Sequence, residues 1–242
     1  MKEFELLARG SAFFVSGPIS GALIALLSAH VAAPHRFANY FPHEWLRHVK
    51  DGNCRSVLET RSKDGKDVTS TISELPLRTG FRHSALDVAA FVLGEKEEEM
   101  IKKSGIRVLK LHDAGPQAGQ KVAIGGYRLI GESGSGTEAV IETKLDGAVS
   151  EVVQSRVFVN TGNVDSEMGM CGGPVILQDN DTSCCGILEG LVPRIEEGAE
   201  VQEMHRRVAG HSVYITAREL QMFLHDIETE VARTQNKELT TK

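Results

Sequence analysis

Apolar residues in this chain fall almost entirely in short runs closed off by Gly, Asn, Asp, Ser or Pro, a spacing that suits strands and leaves too little length for buried helices. The expected fold class is all-β, with helices at the periphery. A first set of strands opens with a hairpin: Ser11 to Val15, the turn Ser16-Gly17-Pro18-Ile19-Ser20-Gly21, then Ala22 to Leu27. Strands predicted at 57–60, 68–72 and 85–93 complete the set, after an irregular stretch around Pro42 and Trp45 with room for one helical turn.

The run Glu95-Lys96-Glu97-Glu98-Glu99 then breaks the pattern and reads as a solvated loop or helical turn connecting two lobes. A second set of strands is expected at 106–111, 121–124, 139–143, 152–159, 174–177, 184–188 and 212–215. Past 216 the period changes, because Leu220, Phe223, Leu224, Ile227 and Val231 recur at helical spacing and give one apolar face over 217–232. The chain divides accordingly into a first β unit at 1–100, a second at 101–216, a C-terminal helix at 217–234 and a polar tail at 235–242.

A chain of 242 residues with 41% hydrophobic content can bury a sizeable core. Its 27 basic and 33 acidic residues leave a net charge of -6, which argues against nucleic acid or an anionic membrane as partner. No run approaches the roughly 20 apolar residues of a membrane span. Met1-Lys2-Glu3-Phe4-Glu5 lacks the basic and apolar segments of a secretory signal, so an intracellular, cytoplasmic location is expected. Free thiols fit that compartment: of the cysteines at 54, 171, 184 and 185, two are adjacent and poorly placed for a framework of bridges.

Two glycine-rich spots name no cofactor. Gly131-Glu132-Ser133-Gly134-Ser135-Gly136 lacks the lysine of a phosphate loop and reads as a hairpin tip, and Gly125-Gly126 suits a bulge or a close backbone approach. Without CxxC or HExxH spacing, neither a metal nor a cofactor is expected.

Chemistry concentrates in Met168-Gly169-Met170-Cys171-Gly172-Gly173-Pro174-Val175, a reactive side chain set between glycines at the entrance to an apolar strand. Such glycines let backbone N–H groups converge on one point, which acyl transfer requires where negative charge develops on an oxygen. The donors would be the N–H groups of Gly169 and Cys171. Taken alone, the segment equally fits a tight turn with a buried structural cysteine.

In this segment the chain resembles the trypsin-like, chymotrypsin-fold peptidases, whose nucleophile lies in a Gly-x-Ser-Gly-Gly-Pro signature. Gly10-Ser11-Ala12-Phe13-Phe14-Val15-Ser16 and Leu26-Leu27-Ser28-Ala29-His30-Val31 are similar to the hairpin that delivers the family's histidine, and Ala85-Leu86-Asp87-Val88-Ala89 looks like the segment carrying its aspartate. The order His30, Asp87, Cys171 is the family's order. The resemblance implies two six-stranded antiparallel β-barrels with a site between them, followed by the C-terminal helix. Asp87 also fits a surface carboxylate at a strand end.

The departures are informative. Cysteine replaces serine, as in viral relatives with Gly-x-Cys-Gly-Gly, but nothing after Cys184 matches the histidine with which many of those enzymes read glutamine. Met170 stands where digestive members carry an acid, pointing to the branch without a zymogen. Counting back six places, as in trypsin-like enzymes, puts Asp165 and Ser166 at the base of a pocket for Lys or Arg. His43, His48, His83 and His205 read as surface or core residues.

The resemblance implies a peptidase acting on a polypeptide substrate, with His30 as base and then acid, Asp87 orienting it and Cys171 as nucleophile. The rival is a catalytically silent peptidase fold that serves as a binding or assembly subunit. A third reading makes Cys184-Cys185 a redox sensor. The sequence leaves oligomeric state open.

Overall fold

The computed structural model describes residues 6–41, 43–62, 65–75, 80–131, 139–196 and 200–240. Within them β1 (Ala12–Ser16) and β2 (Leu23–Leu27) form the first antiparallel hairpin, with Ala12 opposite Leu27. All five residues of β2 are buried, because successive side chains point to opposite faces and both faces are covered. Ile24 and Leu26 enter one apolar cluster, while Leu23 and Ala25 enter another. The chain leaves β2 through a single helical turn, α1 (Ala29–Ala32), and three short 3₁₀ segments at Pro34–Tyr40, Glu44–His48 and Asp51–Asn53.

Strands β3 (Ser56–Arg61) and β4 (Val68–Leu75) make a separate two-stranded sheet whose Leu58, Ile72 and Leu75 close over the β1–β2 hairpin. β5 (Phe81–Arg82) and β6 (Ala89–Val92) extend the main sheet beyond β2. The acidic run is a full helix, α2 (Glu95–Lys103), and its charge order explains why. Acids fill the first turn and lysines the last, as the helix dipole favours, with Glu98–Lys102 and Glu99–Lys103 paired at 2.6 and 3.1 Å.

β7 (Val108–Leu111) follows, then β8 (Lys121–Ile130), β9 (Ala139–Val153), β10 (Arg156–Asn160), β11 (Pro174–Leu177), β12 (Asn180–Leu191), the short helix α3 (Glu203–Val208), β13 (Ser212–Thr216) and α4 (Ala217–Thr240). Hydrogen bonding runs from β8 through β9, β10, β13, β12 and β11 back to β8, a closed circuit of six strands. The first half does not close in this way among the described residues: its pairing ends at β5, and β3–β4 stays apart. β7 joins the halves, lying parallel to β1 on one side and β12 on the other. Residues 132–138 of the glycine-rich segment lie outside the described residues.

The C-terminal helix packs on both strand sets. Its Leu220, Phe223, Leu224 and Ile227 share one buried cluster with Phe13, Val15, Ile24 and Leu26 of the first half and Ile187 and Ile215 of the second. Glu228, also buried, accepts hydrogen bonds from the Ile19 and Ser20 backbone N–H groups at 2.7 and 3.0 Å, pinning the β1–β2 turn. The helix continues past the expected boundary at 234 as far as Thr240.

Candidate active site

His30 sits in α1 directly after β2, where Ser28 accepts the Ala32 N–H at 3.0 Å and Pro34 stops the turn. Its position is fixed by Asp87, whose Oδ1 accepts the His30 backbone N–H at 2.8 Å and whose Oδ2 meets ring Nδ1. Asp87 lies two residues before β6 rather than within a strand, and it is buried rather than a surface carboxylate. His83, read above as an ordinary surface or core residue, shapes that loop. Its Nδ1 accepts the backbone N–H groups of Ala85 at 3.1 Å and Leu86 at 2.9 Å, and its ring packs edge-on against Phe223.

Cys171 is half-buried in the loop before β11, where its side chain interacts with the His30 ring. Ser11 anchors this loop from the opposite half of the molecule. Its N–H donates to the Cys171 carbonyl at 2.9 Å, its Oγ donates to the Gly169 carbonyl at 2.8 Å, and the same Oγ accepts the Tyr127 N–H at 2.8 Å. Gly169 has φ +94°, a conformation side chains disfavour. A Cβ at Gly126 would stand 2.9 Å from Ser11 Oγ, so the Gly125-Gly126 pair serves a close approach.

The N–H groups of this loop divide into two kinds. Those of Met170, Gly172 and Gly173 donate to Glu167, Leu188 and Met170 carbonyls at 3.1, 2.9 and 2.9 Å. Among the described residues, those of Gly169 and Cys171 have no protein acceptor. Met170 itself is fully buried in the second core cluster, where an acid could not pair with anything.

Burial of the His30 ring opposes its charge, but hydrogen bonds and charge from Asp87 and Cys171 outweigh it and raise its pKa from 6.5 to about 9. Three aromatic rings from the following 3₁₀ segment surround the imidazole, a feature with no sequence signature. Tyr40 stacks on it at 5.4 Å and 12°, Phe37 meets it edge-on at 6.4 Å, and Phe41 lies 6.5 Å away. Because the folded pKa is raised, the charged ring's contribution to stability is complete below pH 6.5 and disappears as pH rises through about 9. Urea unfolding across that window should show a loss of stability in the wild type that is absent in His30→Gln.

Asp165, expected at the base of a Lys/Arg pocket with Ser166, is paired with Arg194, which donates to both carboxylate oxygens, with Nη2 at 2.5 Å and Nε at 3.1 Å, on an exposed surface. A different ion pair approaches the His30 region: Arg156 Nε and Nη2 donate to Glu189 at 2.6 and 2.7 Å, and both residues act electrostatically on Tyr40. All four cysteines are free, and burial pushes the Cys184 and Cys185 thiols up to about 12 and 11, which disfavours their thiolate forms.

The strand order and helix placement are consistent with a chymotrypsin-like β fold. No protein-family model and no curated protein matches the sequence. Among solved structures, neuropsin, a serine protease expressed in the limbic system of mouse brain, superposes with a TM-score of 0.51 at 14% identity, over 89% of this chain and 86% of neuropsin. The active form of the Rv3671c protease from M. tuberculosis gives 0.50 at 14% identity, over 90% and 73%. A Glu endopeptidase gives 0.50 at 12% identity, over 90% and 89%.

Proposed function

We propose that this chain is a double-barrel peptidase of the trypsin-like fold that cleaves polypeptides through a Cys171–His30–Asp87 triad. The observation that carries this reading is the His30 ring held at Nδ1 by Asp87, with the Cys171 side chain close enough to interact with the same ring. Asp87 accepts the Nδ1 proton, so Nε2 exchanges a proton with the Cys171 thiol. The thiolate attacks the scissile carbonyl, and the oxyanion is met by the N–H groups of Gly169 and Cys171, whose lack of internal acceptors suits that role. His30 then protonates the leaving amine, and water releases the acyl group from sulfur by the same base. The ion pair of Arg156 and Glu189 leaves substrate preference to be read experimentally. The silent-scaffold alternative has no observation of its own to favour it.

Competitive alkylation at neutral pH tests the proposal. Cys171 should label first of the four thiols, and His30→Ala should slow that labelling by about tenfold or more, since the imidazole supplies the thiolate. Labelling indifferent to the histidine would sink it.

A further inference from the structure

A second thiol stands against a second imidazole and a second carboxylate. Cys54 Sγ lies 3.3 Å from His35 Nδ1, and His35 Nε2 lies 2.7 Å from Asp51 Oδ1. Arg36 grips the same carboxylate, with Nε 3.1 Å from Oδ1 and Nη2 2.6 Å from Oδ2. Hydrogen bonding from Arg36, with a smaller share from His35, holds Asp51 well below the usual carboxylate range. Asp51 accepts a hydrogen bond from His35 Nε2–H, the tautomer that leaves the Nδ1 lone pair facing the Cys54 S–H. His35 is buried while Cys54 is partly exposed, so the base is shielded and the sulfur is within reach of solvent.

We propose that Cys54 is a modification site for small anionic disulfides of the glutathione type, with His35 as its proton acceptor and Asp51 fixing the tautomer. Burial, with some help from Asp51, raises the Cys54 thiol above its ordinary value, so it rests protonated and reacts only with a base beside it. In the exchange, the S–H proton passes to His35 Nδ1 as sulfur attacks the disulfide. The old S–S bond breaks, a new one forms to Cys54, and the departing thiolate leaves with the proton from His35. The anionic preference comes from the surroundings. The guanidinium of Arg36 is half exposed at the site, and Arg82 is close enough to feel both Arg36 and Asp51. Cys184 and Cys185 are buried.

Incubation of the whole protein with glutathione disulfide, followed by mass analysis of each cysteine peptide, tests this independently of any peptidase activity. The expected result is an adduct on Cys54, none on Cys184 or Cys185, and a Cys54 rate reduced about tenfold or more in both His35→Ala and Asp51→Asn. The buried pair reports folding, since a variant that unfolds exposes it. Neutral hydroxyethyl disulfide should react more slowly than glutathione disulfide at wild-type Cys54. The proposal is overturned if wild-type Cys54 reacts no faster than the buried pair, or if its rate survives both substitutions in variants whose buried pair stays protected. Should both variants unfold, equal wild-type rates for the charged and neutral disulfides overturn it.

Discussion

Asp87→Asn is expected to lower peptide turnover by about a thousand- to ten-thousand-fold and, below about pH 9, to lower stability as well, because the carboxylate that favours the charged His30 ring is gone. Asp87 serves two donors at once, the His30 backbone N–H at 2.8 Å and ring Nδ1. An amide has only one oxygen to offer. The fixed backbone donor retains it, and the amide NH₂ then faces Nδ1. A ring that accepts at Nδ1 must carry its proton on Nε2, the nitrogen needed to take the proton of Cys171. The variant therefore keeps the fold and loses the tautomer. Turnover of a peptide library and the Cys171 alkylation rate, measured against pH, check this. A variant within tenfold of wild type would remove Asp87 from the proposed mechanism.

Truncation after Thr216 is expected to abolish cooperative unfolding altogether. Leu220, Phe223, Leu224 and Ile227 are all buried, and burying such side chains stabilises by roughly 1.5 to 3 kcal/mol apiece. Four of them together approach the roughly 5 to 15 kcal/mol that separates a whole native domain from its unfolded state. The effect reaches both halves, because the helix lies in their shared cluster and Glu228 holds the β1–β2 turn. Circular dichroism during heating gives the readout, and a truncated chain that melts at the wild-type temperature refutes the packing argument.

Strands with apolar runs were legible in the sequence, and those without were not. β9 runs from Ala139 to Val153, but Glu142, Lys144 and Asp146 within it are exposed, and their polarity hides everything past Thr143. The stretch Val152 to Val159 reads as one strand, yet it turns between β9 and β10 at Gln154, whose φ of 55° is one that glycine or asparagine would normally announce. His30, Asp87 and Cys171 could be singled out in the sequence because each lies in a short motif that resembles one of the trypsin-like peptidases. Tyr40, His83 and Ser11 were missed because their roles depend on partners dozens of residues away or on an irregular segment with no period. The Cys54–His35–Asp51 relay is hidden for the same reason, its members distributed over successive 3₁₀ turns.

The reach of α4 back to residues 13–26 also sets a timetable for synthesis. Chains fold from the amino end as they emerge, but here the first hairpin lacks part of its core until the ribosome has made residues beyond 220, and its turn lacks its anchor until Glu228 appears. The segment bearing His30 is thus made well before the helix that fastens it. A nascent chain that already contains Cys171 still lacks the helix that closes the core behind β1 and β2, so His30, Asp87 and Cys171 are not held in a finished core until α4 is made.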